Sequence, residues 1–249
     1  WPANINVDEK KSGIIPKSYI DSILNIDMNE GEEKRRDKNK MKMLLKSLAR
    51  NESSIVGDKT ILKDIKDCEN EVERLSSRNT VIDYLDVLDR LHLIENQEAY
   101  GENYRSPSRV GKSPKRHLTD PSLSCACLGL TPEKLLKDFN TFGFMFESLV
   151  ERDLRIYMDY LDGYLYHFRD NVTRLEVDSI LEFSDGEYAA VEIKLGYNQV
   201  EDAKKNLMKF YNNMVKKPAF MCIVFGICPA IIKDPETGIY IVPITALKP

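Results

Sequence analysis

Between Glu176 and Phe183 the chain reads Glu-Val-Asp-Ser-Ile-Leu-Glu-Phe, followed by Ser184-Asp185-Gly186 and a second run from Glu187 to Lys194. Two alternating runs around an Asp-Gly pair predict a β-hairpin. No other stretch constrains the fold as strongly, because a slip of one residue would turn every side chain to the opposite face. A two-residue loop at Asp185-Gly186 sets Val177 against Lys194 and Asp178 against Ile193, which mixes apolar and charged residues on one face. A three-residue loop, Ser184-Asp185-Gly186, gives Gly186 the left-handed position such loops need. Val177 then pairs with Ile193, Ser179 with Val191 and Leu181 with Ala189. On the other face Glu176 pairs with Lys194, Asp178 with Glu192 and Ile180 with Ala190. This register sorts the faces cleanly and is the one expected.

The same register carries a chemical expectation. It sets two carboxylates, Asp178 and Glu192, about 5 Å apart at Cβ, with Lys194 two residues along the same face. Carboxylates that close repel unless a cation sits between them or a proton is shared. Hard oxygen ligands suit Mg²⁺ or Mn²⁺, and the backbone carbonyl of Ile193 can add a ligand. Such a metal would polarise a phosphate and activate water, with Lys194 orienting the water or stabilising transition-state charge. The alternative is a surface ion pair between Glu176 and Lys194, with Asp178 and Glu192 merely exposed.

Around the hairpin the pattern predicts an α/β module over residues 118–249. A long helix is expected over about Pro132 to Asp159, with a break at Gly143. Strands are expected at Tyr164–Phe168, Arg174–Phe183, Glu187–Leu195, Phe220–Phe225 and Ile239–Pro243, with an amphipathic helix from Gln199 to Met214. This order implies a central mixed sheet flanked by helices.

Upstream, residues 1–33 read as a partly helical segment and residues 34–117 as a second module. Met41, Leu44, Leu45 and Leu48 recur at helical spacing. A helix from Lys59 to Asp67 follows, then one with Val81, Tyr84, Leu85, Leu88 and Leu91 that Ser76 or Ser77 can cap. Three helices, a strand at Leu93-Ile94-Glu95 and a basic loop from Tyr100 to Lys115 match a winged helix-turn-helix. The third helix exposes Arg78, Asn79 and Thr80 at its start, where recognition helices meet DNA. The wing holds Arg105, Arg109, Lys112, Lys115 and Arg116 with no acid among them. Residues 34–117 carry 19 basic and 14 acidic side chains, while the chain as a whole is at −4. The basic excess is thus confined to one module, as a polyanion contact requires. Asp83, Asp86 and Asp89 on the third helix would repel DNA if they faced it, so a winged helix used for protein contacts is the alternative.

Composition excludes several classes. No apolar run approaches the roughly 18 residues of a membrane span, and no secretory signal opens the chain. The five cysteines form no CxxC pair, which fits a reduced cytoplasmic protein and argues against zinc. His92, His117 and His167 are scattered. Gly111-Lys112-Ser113 resembles the end of a P-loop, but Ser106 stands where the motif needs its first glycine, and Pro107 and Pro114 flank the segment. No ATP site is expected here.

Val177-Asp178 together with Val191-Glu192-Ile193-Lys194-Leu195-Gly196 resembles the PD-(D/E)XK nuclease superfamily, whose fold is that of restriction endonucleases. Further segments carry a wider resemblance: Asn79 to Leu85, Ser113-Pro114-Lys115, Leu118 to Leu123 and Phe142 to Val150. With them the chain resembles the C-terminal portion of a group of bacterial and archaeal AAA-type ATPases, which ends in a nuclease-like domain of unknown function. The resemblance implies that Glu147 is the helical glutamate completing the metal site, and that Gln199 contacts phosphate. It also implies that ATP binds only in an absent N-terminal module, after which Trp1 would lie. Nucleic acid, chiefly DNA, is the implied partner, with contact to an ATPase domain or to a second copy as further options.

Overall fold

The structure is a computed structural model that describes residues 7–25, 36–67, 77–105, 109, 111–226 and 230–248. It divides into two compact units, Trp1–Asn96 with Arg116–Thr141, and Gln97–Lys115 with Phe142–Pro249. The boundary expected at residue 117 is therefore drawn differently. The basic loop belongs to the second unit, and the segment after it returns to the first.

The first unit contains helices α1 (Ile14–Asn25), α2 (Lys38–Arg50), α3 (Asp58–Asp67), α4 (Arg78–Arg90) and α5 (Pro121–Leu128). Strands β1 (Ser54–Ile55), β2 (Ile94–Gln97) and β3 (Lys115–Leu118) form a small sheet in the order β1-β3-β2. Helix, strand, two helices and two strands is the order of a winged helix. Three of these helices start at side-chain caps. Asp37 accepts the Asn39 and Lys40 amides at 2.7 and 3.2 Å. Ser77 caps α4 through the Thr80 amide at 3.4 Å, while Ser76 lies outside the described residues. Asp120 caps α5, with Pro121 in its first turn. Met41, Leu44, Leu45 and Leu48 are buried together with Ile61, Ile65, Val81, Leu88, Leu118 and Leu123.

The second unit is a six-stranded sheet, β4 (Tyr164–Asp170), β5 (Leu175–Glu182), β6 (Tyr188–Lys194), β7 (Phe220–Phe225), β8 (Ile232–Lys233) and β9 (Tyr240–Pro243), in the order β4-β5-β6-β7-β9-β8. The β6–β7 and β7–β9 pairs are parallel and the others antiparallel. Helix α6 (Phe139–Tyr160) covers one face through Phe146, Val150, Leu154 and Met158. Helix α7 (Val200–Asn213), the crossover between β6 and β7, covers the other through Val200, Ala203, Leu207 and Phe210. The expected break at Gly143 is absent. The interruption lies instead before Phe139, where Asp138 accepts the Thr141 amide and hydroxyl at 3.1 and 2.6 Å. Gly143 runs through the helix with open space where a Cβ would sit.

The turn from α6 into β4 is tight. A Cβ on Gly163 would lie 2.8 Å from the Glu182 carbonyl oxygen and would also meet Met158. A backbone oxygen in a sheet cannot swing aside. Gly163→Ala is expected to cost about 1–3 kcal/mol by overpacking, and an unchanged urea midpoint would refute this.

Candidate active site

The hairpin forms in the expected register. Ser179 pairs with Val191, Ile180 with Ala190, Leu181 with Ala189 and Glu182 with Tyr188. Gly186 closes the loop at φ 80°, with the Phe183 amide donating to the Glu187 carbonyl at 2.8 Å.

Below Ser179 the expectation fails. Tyr166 of β4 faces Ile180 of β5, but Phe168 faces Val177. One residue, His167, therefore stands opposite two, Asp178 and Ser179, which makes a β-bulge. The bulge breaks the period of two, so Val177 packs with Ile180 against α7, whereas Leu181 packs against α6. The expected Val177–Ile193 partnership is replaced, because the Ile193 amide donates to Asp178 Oδ2 at 2.7 Å. Glu176, expected beside Lys194, is exposed and lies 3.9 Å from Arg169. The fully buried Gln97 donates to the Tyr166 and Asp178 carbonyls at 2.9 and 3.2 Å, so backbone oxygens around the bulge keep partners.

Asp178, Glu192 and Lys194 come together as expected. Lys194 Nζ lies 3.0 Å from Asp178 Oδ2 and 2.6 Å from Glu192 Oε2. Asn206 of α7 donates to Glu192 Oε1 at 2.6 Å and to the Glu176 carbonyl. A second group adjoins the first. Lys115 Nζ donates to Glu147 Oε1, to Glu151 Oε1 at 2.8 Å and to the Asp178 carbonyl at 3.5 Å. The Ser179 hydroxyl donates to Glu151 Oε1 at 3.2 Å.

Burial governs the electrostatics. It pushes the Glu192 carboxyl up to about 8, and the Asp178 charge adds to that against Lys194 and Asn206. Burial likewise raises Glu147 well above the usual carboxylate range, despite Lys115. For Asp178 burial also acts upward, but Lys194, Lys115 and the Ile193 amide outweigh it and hold the group low. Both lysines are held above their ordinary values because their carboxylate partners overcome the cost of burial. When all are ionised, the four carboxylates carry two more charges than the two ammoniums that bridge them. Two retained protons or one divalent cation would balance them.

Among the described residues, no group of three or more His, Cys, Asp or Glu side chains is arranged to hold a metal ion. Asp178 and Glu192 offer a smaller oxygen set, with Lys194 bridging the two carboxylates at 3.0 and 2.6 Å. Hard carboxylate donors of this kind suit Mg²⁺ or Mn²⁺.

The expected phosphate contacts are largely committed elsewhere. Arg109 pairs with Glu182 at 2.9 Å and lies 4.8–5.2 Å over the Tyr100, Tyr104 and Tyr166 rings. Lys112 donates to the Arg169 carbonyl. Arg116 and Arg78 share Asp58 at 2.9 and 3.0 Å, and Lys115 is buried. Arg105 and Asn79 are exposed and Thr80 is half-buried. Counting cations along the loop missed these pairings because the matching acids are 32 to 73 residues away. Gln199 is exposed, but its amide oxygen accepts the Gly196 amide at 3.2 Å and so closes its own turn. Sequence reasoning overlooked Asn206, Glu151 and Gln97. Only the helical spacing of Glu147 and Glu151 offered a signal, that of two acids on one face.

The family described as "Domain of unknown function (DUF8612)" matches residues 1–134, more than half of the 249. The chain belongs to the DUF8612 family. A second description, "Domain of unknown function (DUF4143)", matches residues 142–247, which span the candidate site. No curated protein matches the chain. Among solved structures, a chain of a refined half-complex from a tetradecameric assembly of Thermococcus gammatolerans McrB AAA+ hexamers with bound McrC is similar at 12% identity and a TM-score of 0.31. The match covers 84% of the DUF8612 chain and 72% of the other. Among the described residues, no helix is long and apolar enough to cross a membrane.

Proposed function

We propose that this chain is the nucleic-acid-associated C-terminal part of an AAA-type ATPase, with a Mg²⁺- or Mn²⁺-dependent phosphodiester-cleaving site at the β5 bulge. The observation that carries the reading is the convergence of Asp178 and Glu192 on one ammonium, Lys194, at 3.0 and 2.6 Å in a buried cluster. Asp178, Glu192 and the Ile193 carbonyl would hold the cation, which supplies Lewis-acid polarisation of the phosphate and an activated water. Asp178 is ionised and ready to bind. Glu192 would have to release its proton to solvent to serve as a ligand. Lys194, with 23% of its side chain exposed, can turn from the carboxylates to a phosphate oxygen and stabilise charge there. Asn206 keeps Glu192 oriented throughout. The ATPase context rests on the sequence resemblance. DNA contact is assigned to Asn79 and Thr80 at the start of α4 and to Arg105, which the ion pairs leave uncommitted.

The test is a Mn²⁺-dependent cleavage panel of single- and double-stranded DNA and RNA. Product is expected from at least one form, and Lys194→Ala should lower the rate by about 100-fold or more. Absence of product from every form, together with absence of Mn²⁺ binding, defeats this reading. One observation favours a non-catalytic DNA-binding or adaptor module: both ammoniums are already engaged by carboxylates. Salt-sensitive DNA binding that survives Asp178→Ala, without metal-dependent product, would establish that alternative.

A further inference from the structure

We propose that Lys115 is a resident cation of the candidate site, which withdraws Glu147 from metal coordination and limits the site to one divalent ion. The inference rests on the metal-dependent reading above and adds a positioning residue to it.

The acids fall into two sets. Lys194 serves Asp178 and Glu192, and Lys115 serves Glu147 and Glu151. The two lysines differ in freedom. The Lys194 side chain is 23% exposed and stands at the end of β6, so an arriving ion can displace its ammonium. The Lys115 side chain is 3% exposed. Its ammonium has three oxygens around it, and its backbone is the first residue of β3. An ammonium that donates to both glutamates fills the space between them. A second divalent ion there would need metal–oxygen distances of about 2.0–2.2 Å in the position Lys115 occupies, and two cations cannot share it. Glu151 is further fixed by the Ser179 hydroxyl. The helical glutamate is thus held by a side chain of this protein, and an ion at Asp178 and Glu192 would be bound without it.

Titration of the full chain with Mn²⁺, followed through the electron paramagnetic resonance signal of the free ion, tests the assignment. The wild-type chain is expected to bind one Mn²⁺. Glu147→Gln should also bind one with unchanged affinity, because position 147 is not a ligand. Lys115→Met, which leaves Glu147 and Glu151 without their ammonium, should bind two. Loss of affinity by about tenfold or more in Glu147→Gln, two ions in the wild type, or a single ion in a folded Lys115→Met chain would each overturn the inference. If Lys115→Met does not fold, the Glu147→Gln affinity decides alone. A wild-type chain that binds no Mn²⁺ defeats the underlying metal-dependent reading instead, and the two failures are therefore distinguishable.

Discussion

Glu52→Ala is expected to cost the first unit about 2–6 kcal/mol, the penalty for leaving two buried hydrogen-bond donors without their acceptor. Glu52 is 1% exposed. Its Oε2 accepts the Leu118 amide at 3.2 Å and the Ser124 hydroxyl, and its Oε1 lies 3.3 Å from His117 Nδ1. One side chain between β1 and α2 thus ties down β3 and α5. Alanine would leave these donors buried without an acceptor, at about 1–3 kcal/mol each. Glu52→Gln keeps an acceptor in place and should lose less. Urea denaturation of the three proteins measures the difference. A loss below about 1 kcal/mol for Glu52→Ala would mean that the network relaxes freely.

In the absence of divalent metal, stability should fall as pH rises from 4.5 towards 8. Glu192 titrates at 4.5 when unperturbed and at about 8 in the folded chain. Between those values the folded state holds a proton that the unfolded state has released. The contribution is therefore fully present below 4.5 and is lost as pH climbs through 8. One such group gives a slope of up to about 1.4 kcal/mol per pH unit. Glu147 shifts in the same direction and adds to the slope. Asp178, held low, contributes with opposite sign only in the acid range. Urea midpoints at pH 5.5, 6.5 and 7.5 measure the trend, and Glu192→Gln should make it shallower. A flat profile, or an unaltered slope in Glu192→Gln, would contradict the protonation assigned here.

How much of this was legible depended on the range of each interaction. The hairpin register was readable because turn chemistry and side-chain alternation are local, and Gly186 takes the conformation its loop demands. Helices α2, α4 and α7 were readable from apolar spacing. The bulge at Asp178-Ser179 was not, since it is set by pairing with β4 and by Gln97, which lies 81 residues before Asp178. Lys115 illustrates the same limit. In sequence it is one of five cations on a Pro- and Gly-containing loop. In the fold it is a buried ammonium enclosed by acids from α6. The long-helix expectation placed its break at Gly143 because glycine is a weak helix former, whereas the Asp138 cap determined the actual start.

The division of the chain into interleaved segments bears on how the protein is made. Residues 97–115 belong with a unit whose remainder starts at Phe142, and the first unit is complete only at Thr141. During synthesis the first unit must wait for Leu118, Leu123 and Ser124 before its core closes. The loop that carries Lys115 emerges before α6, which supplies its acids. A nascent chain stalled at residue 117 would therefore expose Leu44, Leu48 and Leu88 to chaperones and proteases, and one released after Thr141 would not.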